Sequence, residues 1–131
     1  MEKQEGTMSE RTLHKAVCDY IRFRYRYVLF NSDLSGATKL TMNQAVAMKA
    51  LRSNRGYPDL VLYEPCHGYH GLFMELKQEG TKLYTKDGRP ATPHIAEQLK
   101  CLALLRERGY WAGFAVGFDQ AKDILDDYLN E

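Results

Sequence analysis

Gly56-Tyr57-Pro58-Asp59, followed after fifteen residues by Glu75-Leu76-Lys77, is the stretch on which the reading of this chain turns. Residues 59–63 and 72–77 are two strand-like runs, and the segment between them holds Pro65, Gly68 and Gly71, so the pattern predicts a hairpin. Side chains at i and i+2 share a face of a strand; Glu75 and Lys77 therefore point one way, and Leu72, Met74 and Leu76 the other. A hairpin centred on His67 sets Asp59 across from Glu75 on the same face. Centred on Gly68, it sets Asp59 against Lys77 as an ordinary cross-strand salt bridge. In the first register two carboxylates meet side by side, an arrangement that destabilises a sheet unless a cation lies between them.

A divalent metal suits that position. Carboxylates are hard oxygen ligands for Mg²⁺ or Mn²⁺, and Mg²⁺ typically takes only one or two of them, leaving room for water and phosphate oxygens. Lys77, on the same face, is suited to orient or deprotonate a water, or to offset charge that develops on a phosphorane-like transition state. These are the parts that phosphodiester hydrolysis requires. Gln98 joins them, because it falls on the Ile95, Leu102 and Leu105 side of a helical pattern, where an amide needs a partner.

Outward from this pair, Ser9 caps a first helix in which Leu13, Ala16, Val17, Tyr20 and Ile21 recur at helical spacing. Residues 1–8 are polar and expected to be flexible. A short strand is expected over 27–30, with a turn at 31–33, then a second helix over about 41–52 with Met42, Ala45, Val46 and Leu51 as its apolar side. Residues 78–92, with Gly80, Gly88 and Pro90 among Lys82, Lys86 and Arg89, read as a long basic loop. Pro93 opens a third helix that Gly109 ends, 110–116 is a strand, and Asp119 is expected to cap a last helix. The order predicts one α/β domain over 1–131, a mixed β-sheet flanked by helices.

Length and composition agree. The chain has 131 residues, 44% of them hydrophobic, enough for one core, and two-domain readings are rejected. No run approaches the length of a membrane span and no secretory signal precedes the first helix, so an intracellular, cytoplasmic protein is expected. Cys18, Cys66 and Cys101 fit neither a disulfide framework nor a paired metal motif, and are expected to be reduced.

The net charge of +1 hides an asymmetry: residues 1–56 hold ten Lys/Arg against five Asp/Glu. Arg22, Arg24 and Arg26 alternate with Phe23, Tyr25 and Tyr27, a mixture that suits a phosphate backbone and equally suits a solvated helix end. Arg55, Lys82, Lys86 and Arg89 are further candidates for phosphate contact, the last three also reading as a solvated loop.

With these residues in order, the sequence resembles the PD-(D/E)XK nuclease superfamily, and more closely its VRR-NUC (virus-type replication-repair nuclease) branch, over nearly its full length. The resemblance rests on Glu10 in the first helix, Gly56-Tyr57-Pro58-Asp59, Glu75-Leu76-Lys77, Gln98, and Gly109-Tyr110-Trp111-Ala112 with Phe118-Asp119-Gln120-Ala121. It implies a restriction-endonuclease-like core, with Asp59, Glu75 and the Leu76 carbonyl as ligands of Mg²⁺ or Mn²⁺, Lys77 as catalytic lysine, and Glu10 and Gln98 completing the site. Stand-alone members resemble virus- or bacterium-encoded homodimers that cut branched DNA, including four-way Holliday junctions. The 81–92 insertion departs from the pattern. Two rivals stand beside a junction resolvase: a nuclease for flaps or other branched or single-strand DNA, and a non-catalytic DNA-binding subunit, against which the complete acidic and lysine set argues.

Other signals are read conservatively. Cys66, His67 and His70 have poor geometry for zinc. His14 and Cys18, beside Val17 and Ile21, read as packing residues, and Trp111 as core or dimer surface. Asp119, Asp123, Asp126 and Asp127 read as capping plus a solvated face turned away from DNA.

Overall fold

The computed structural model describes residues 8–34 and 39–130. Eight elements follow in order: α1 (Glu10–Arg24), β1 (Phe30–Ser32), α2 (Met42–Ala50), β2 (Leu60–Leu62), β3 (Leu72–Lys77), α3 (Pro93–Glu107), β4 (Trp111–Val116) and α4 (Phe118–Leu129). The strands form one mixed sheet in the order β1-β2-β3-β4, antiparallel up to β3 and parallel between β3 and β4. A parallel pair needs a crossover, and α3 supplies it.

The two faces of β3 go to different layers. Leu72, Met74 and Leu76 join Leu60 and Leu62 in a core with Leu13, Val17 and Ile21 of α1 and Ala121 and Leu125 of α4. The opposite face lies toward α3, which buries Ile95, Gln98, Cys101 and Leu102. Glu75 is on this second face, buried although charged.

Leu60 pairs with Met74 and Leu62 with Leu72, the His67-centred register that brings position 59 opposite 75. The turn that sets it is not symmetric. Cys66 and Tyr69 exchange backbone bonds of 3.2 and 2.8 Å around His67 (φ 51°) and Gly68 (φ 84°), two positive-φ residues in succession as a type I′ turn demands. Three residues (63–65) then lead into this turn and two (70–71) lead out. The extra residue restores the register.

Several expectations need correction. The first strand begins at Phe30, because Val28 N–H bonds back to Tyr25 and holds the chain in a turn. α2 forms, with a complete capping box between Thr41 and Gln44, yet buries no residue; Met42, Val46 and Leu51 are 79%, 60% and 80% exposed. Residues 78–92 form the expected loop, and it is internally bonded: Tyr84 bridges Pro90, Ala91 N–H bonds to Leu83 at 2.8 Å, and Thr85 Oγ1 donates to Asp87. Gly117, not Asp119, is the N-cap of α4, with Asp119 in the first turn. Residues 1–7 of the segment expected to be flexible lie outside the described residues, whereas Met8 packs on the core and its carbonyl accepts from Gln78 Nε2 at 3.0 Å. No described helix is long and apolar enough to cross a membrane. The three cysteines are free thiols.

Candidate active site

At the end of the sheet where β2 begins and β3 finishes, the neighbouring strand no longer satisfies β3. Asp59 takes its place: its Oδ2 accepts the Leu76 N–H at 3.0 Å. Lys77 C=O bonds the other way, to Gly117 N–H at 2.8 Å. Peptide groups of successive strand residues alternate between the two edges, so the Leu76 carbonyl shares the edge on which Asp59 lies. Asp59 is thus tied to the residue whose carbonyl the sequence singled out.

Glu75 stands beside it. The two carboxyls are close enough to shift each other's protonation, and Lys77 Nζ is 3.9 Å from Glu75 Oε2. The side chains of Glu75, Lys77 and Asp59 are only 6%, 13% and 16% exposed. Burial first, then the neighbouring Asp59 charge, pushes the Glu75 carboxyl up to about 9. Burial also raises Asp59, against the opposing pull of the Glu75 carboxyl and of His14. Two carboxyls in so dry a place cannot both ionise without a positive charge between them.

Glu75 Oε1 and Gln98 Oε1 are buried with no hydrogen-bond partner among the described residues. Orphaned buried oxygens are costly, about 1–3 kcal/mol each. Both line one cleft of about 210 Å³, together with Glu10, Asp59 and Lys77. All five side chains proposed from the sequence as catalytic therefore meet in a single space, contributed by α1, the start of β2, β3 and α3. The donor set fits a hard divalent cation: two carboxylates, a carbonyl on the same edge and unsatisfied oxygen facing inward.

Three-dimensional comparison adds to this geometry. A solved structure described as "VRR_NUC domain protein" superposes with a TM-score of 0.67 at 23% identity, covering 93% of this chain and 88% of that one. The fold is that of a VRR_NUC domain. A second structure, described as "VRR_NUC domain", is a looser likeness, with a TM-score of 0.47 at 23% identity over 88% of this chain and 97% of its own. Neither a protein-family model nor a curated protein matches the sequence. The α/β restriction-endonuclease-like architecture expected from the motif order is the one observed.

On this VRR_NUC fold, one residue set aside in the sequence belongs to the site. His14 is buried, yet it is no mere packing residue: Nδ1 and Ser32 Oγ share a 2.9 Å hydrogen bond, and Nε2 lies 3.7 Å from Asp59 Oδ2. Its spacing of four from Glu10, one helical turn, was the available signal. Asp33, Arg52, Tyr57 and His94 also line the cleft, from segments that read as turns or helix ends.

The basic candidates divide. Arg55 lies next to the cleft and pairs with Glu97 at 3.4 Å. Arg22, Arg24 and Arg26 lie at and beyond the far end of α1, Arg24 being roughly 20 Å along the helix axis from Glu10. Arg22 is paired with Asp19 and stacked on Phe30, and Arg24 on Tyr25. Lys82, Lys86 and Arg89 are exposed on the 78–92 segment, with Arg89 paired to Asp87 at 3.1 Å. Cys66, His67 and His70 are drawn apart: His67 Nε2 bonds to the Asn130 carbonyl and His70 packs on Tyr110. The acidic tail is not uniformly solvated, since Asp126 accepts from both Tyr20 and Tyr25 at 2.6 Å.

Proposed function

We propose that this chain is a VRR-NUC nuclease: a metal-dependent, structure-selective endonuclease that hydrolyses phosphodiester bonds in branched DNA, acting as a homodimer on four-way junctions. One observation carries the reading, the buried Asp59–Glu75 pair with its unsatisfied oxygen and Lys77 at its side. In that reading Asp59, Glu75 and the Leu76 carbonyl hold Mg²⁺ or Mn²⁺. The bound cation supplies Lewis-acid polarisation of the phosphate and a water acidified toward neutral pH.

The protein's own groups do the rest. Asp59, fixed by Leu76 N–H and faced by His14, keeps the carboxylate geometry rigid before substrate arrives. Lys77 brings its ammonium to the face where negative charge grows on the phosphate oxygens, in a site dry enough for that charge to be felt strongly. Gln98 has an amide to orient a water or a phosphate oxygen, and Glu10 adds a carboxylate at the cleft wall. The junction preference and the dimer rest on the family resemblance, and on the fit between a two-fold assembly and two symmetric incisions. Such a substrate belongs to the cytoplasm of a bacterial or virus-infected cell.

The test is cleavage of a labelled panel (four-way junction, flap, splayed arm, duplex, single strand) with Mg²⁺, Mn²⁺ or EDTA, using wild type and Lys77→Ala. Metal-dependent paired incisions in the junction that vanish in the variant support the proposal. Cutting confined to flaps or single strands moves the substrate to those structures. Binding without cleavage under every metal leaves a DNA-binding subunit and sinks the enzyme.

A further inference from the structure

A second recess opens beside the cleft, between the end of α2 and the start of α3, with a volume of about 390 Å³. Lys49, Arg52, Arg55 and His94 line it, and Glu97 is the one carboxylate among its lining residues. Arg52 and His94 also line the cleft of Asp59 and Glu75, so the two spaces share a wall. Three permanent cations thus gather next to the proposed scissile position, whereas the arginines of α1 lie at the far end of their helix.

Arg52, Arg55 and His94 have acidic partners before any ligand arrives. Arg52 Nη2 bonds Asp33 Oδ2 at 2.7 Å, and Arg55 Nη1 and His94 Nδ1 reach the two oxygens of Glu97 at 3.4 and 3.9 Å. The last two contacts are long and at least part-exposed, the kind of ion pair that contributes little by itself and is readily exchanged for a better acceptor. A phosphate offers such an acceptor, since guanidinium forks match its oxygens in pairs. Gly56 fixes the spacing between recess and cleft. Its φ is +80°, and a Cβ there would approach the Glu97 carbonyl oxygen to 2.7 Å, so the loop after α2 lies directly on the α3 backbone. His94 stands one turn before Gln98 on that helix, an axial step of roughly 6 Å.

We infer that this recess is a second phosphate subsite, in which Lys49, Arg52, Arg55 and His94 grip a backbone phosphate of the nucleic acid strand adjoining the phosphate in the Asp59–Glu75 cleft. The inference rests on the proposed nuclease reading and deepens it. It names the positioning residues, three of which the sequence did not mark, and it moves the main track of the strand away from Arg22, Arg24 and Arg26. Phosphate contacts carry no sequence information, so the subsite serves register and affinity for any branched or linear DNA.

The test reads binding without chemistry. Anisotropy of a labelled four-way junction and a matched duplex is titrated in EDTA between about 50 and 200 mM salt, where each lost phosphate contact lowers the slope of log K against log salt by about 0.9. Lys49→Ala/Arg55→Ala is expected to lower the slope by up to about 0.9, the value for the one phosphate gripped, on both DNAs, whereas Arg22→Ala/Arg24→Ala leaves it unchanged. Both pairs of residues are exposed, and unchanged melting temperatures establish that folding is intact. Wild-type slope in the recess variant overturns the subsite while wild-type binding and cleavage stand. A slope lowered only by the α1 pair overturns it in favour of that track. Wild type that binds no DNA at any salt removes this inference and the nuclease reading together.

Discussion

Asp126 and Glu75 are both acidic side chains packed between helices and neighbouring structure, and the fold finishes one and leaves the other open. Asp126 accepts hydrogen bonds from the Tyr20 and Tyr25 hydroxyls and from the ammonium of Lys122, the last at 3.1 Å. Burial works against its charge, and the three bonds outweigh burial, holding the carboxyl below its ordinary range. Burial and the bond to Asp126 push the Tyr25 hydroxyl the other way, up to about 12. Among the described residues Glu75 has the Asp59 carboxyl beside it, a cation at 3.9 Å, and one oxygen without a partner. The α1–α4 seam is complete as folded. In the proposed reading the cleft is completed by a cation from outside, which would separate a carboxylate that latches two helices from one that holds a ligand.

The largest expected effect is on the open site. Lys77→Ala should lower single-turnover cleavage of a junction by about 10²- to 10³-fold while leaving the melting temperature near wild type, since in the proposed reading the group acts on charge that develops in the transition state. Retained cleavage would separate Lys77 from the chemistry and weaken the comparison at its root.

Next comes the pH dependence of the metal-free protein. Glu75 titrates higher in the folded chain (about 9) than its ordinary 4.5, so the folded state holds a proton that the unfolded state releases in this window. Stability therefore falls as pH rises from about 5 to 8, by up to about 4 kcal/mol. Thermal melts in EDTA should show that slope, Glu75→Gln should flatten it, and Mg²⁺ should restore stability at the alkaline end. A flat profile in EDTA would mean that the pair is already compensated.

The closed site should respond in the opposite sense. Asp126→Ala leaves two tyrosine hydroxyls without their acceptor and should cost about 1–3 kcal/mol by urea denaturation, with cleavage unchanged at temperatures where the variant is folded. Because Asp126 is held below 3.8, its contribution is present above that pH and is lost as pH falls further, so wild type and variant should converge in acid. The smallest effect is expected on α2: Val46→Ala should shift stability by no more than about 0.5 kcal/mol in the same assay.

What the sequence made legible follows from range. Period-2 alternation and the Pro-Asp to Glu-x-Lys spacing act locally and left two registers open, of which the His67-centred one is found, produced by an asymmetric turn. The helical stripe through Ile95, Gln98 and Leu102 likewise carried Gln98 to the correct face. His14 escaped because its partners, Ser32 and Asp59, are distant in sequence, and a histidine between Leu13 and Val17 looks apolar in context. Asp126 escaped for the same reason, its tyrosines lying about a hundred residues away. The strength of Thr41 as a cap was visible; that α2 fully buries none of its residues was not, because a weak apolar stripe does not reveal whether a surface exists to receive it.

That last feature bears on how this chain could change over time. A helix that buries no side chain answers to its own caps and propensities rather than to the core, and core residues place almost no demand on what it displays. Its solvent face, ending at Lys49 and Arg52 beside the cleft, can be rewritten residue by residue without disturbing the sheet that holds Asp59 and Glu75. New preferences for the shape of a substrate can therefore be acquired at α2 while the chemistry beneath it is inherited intact.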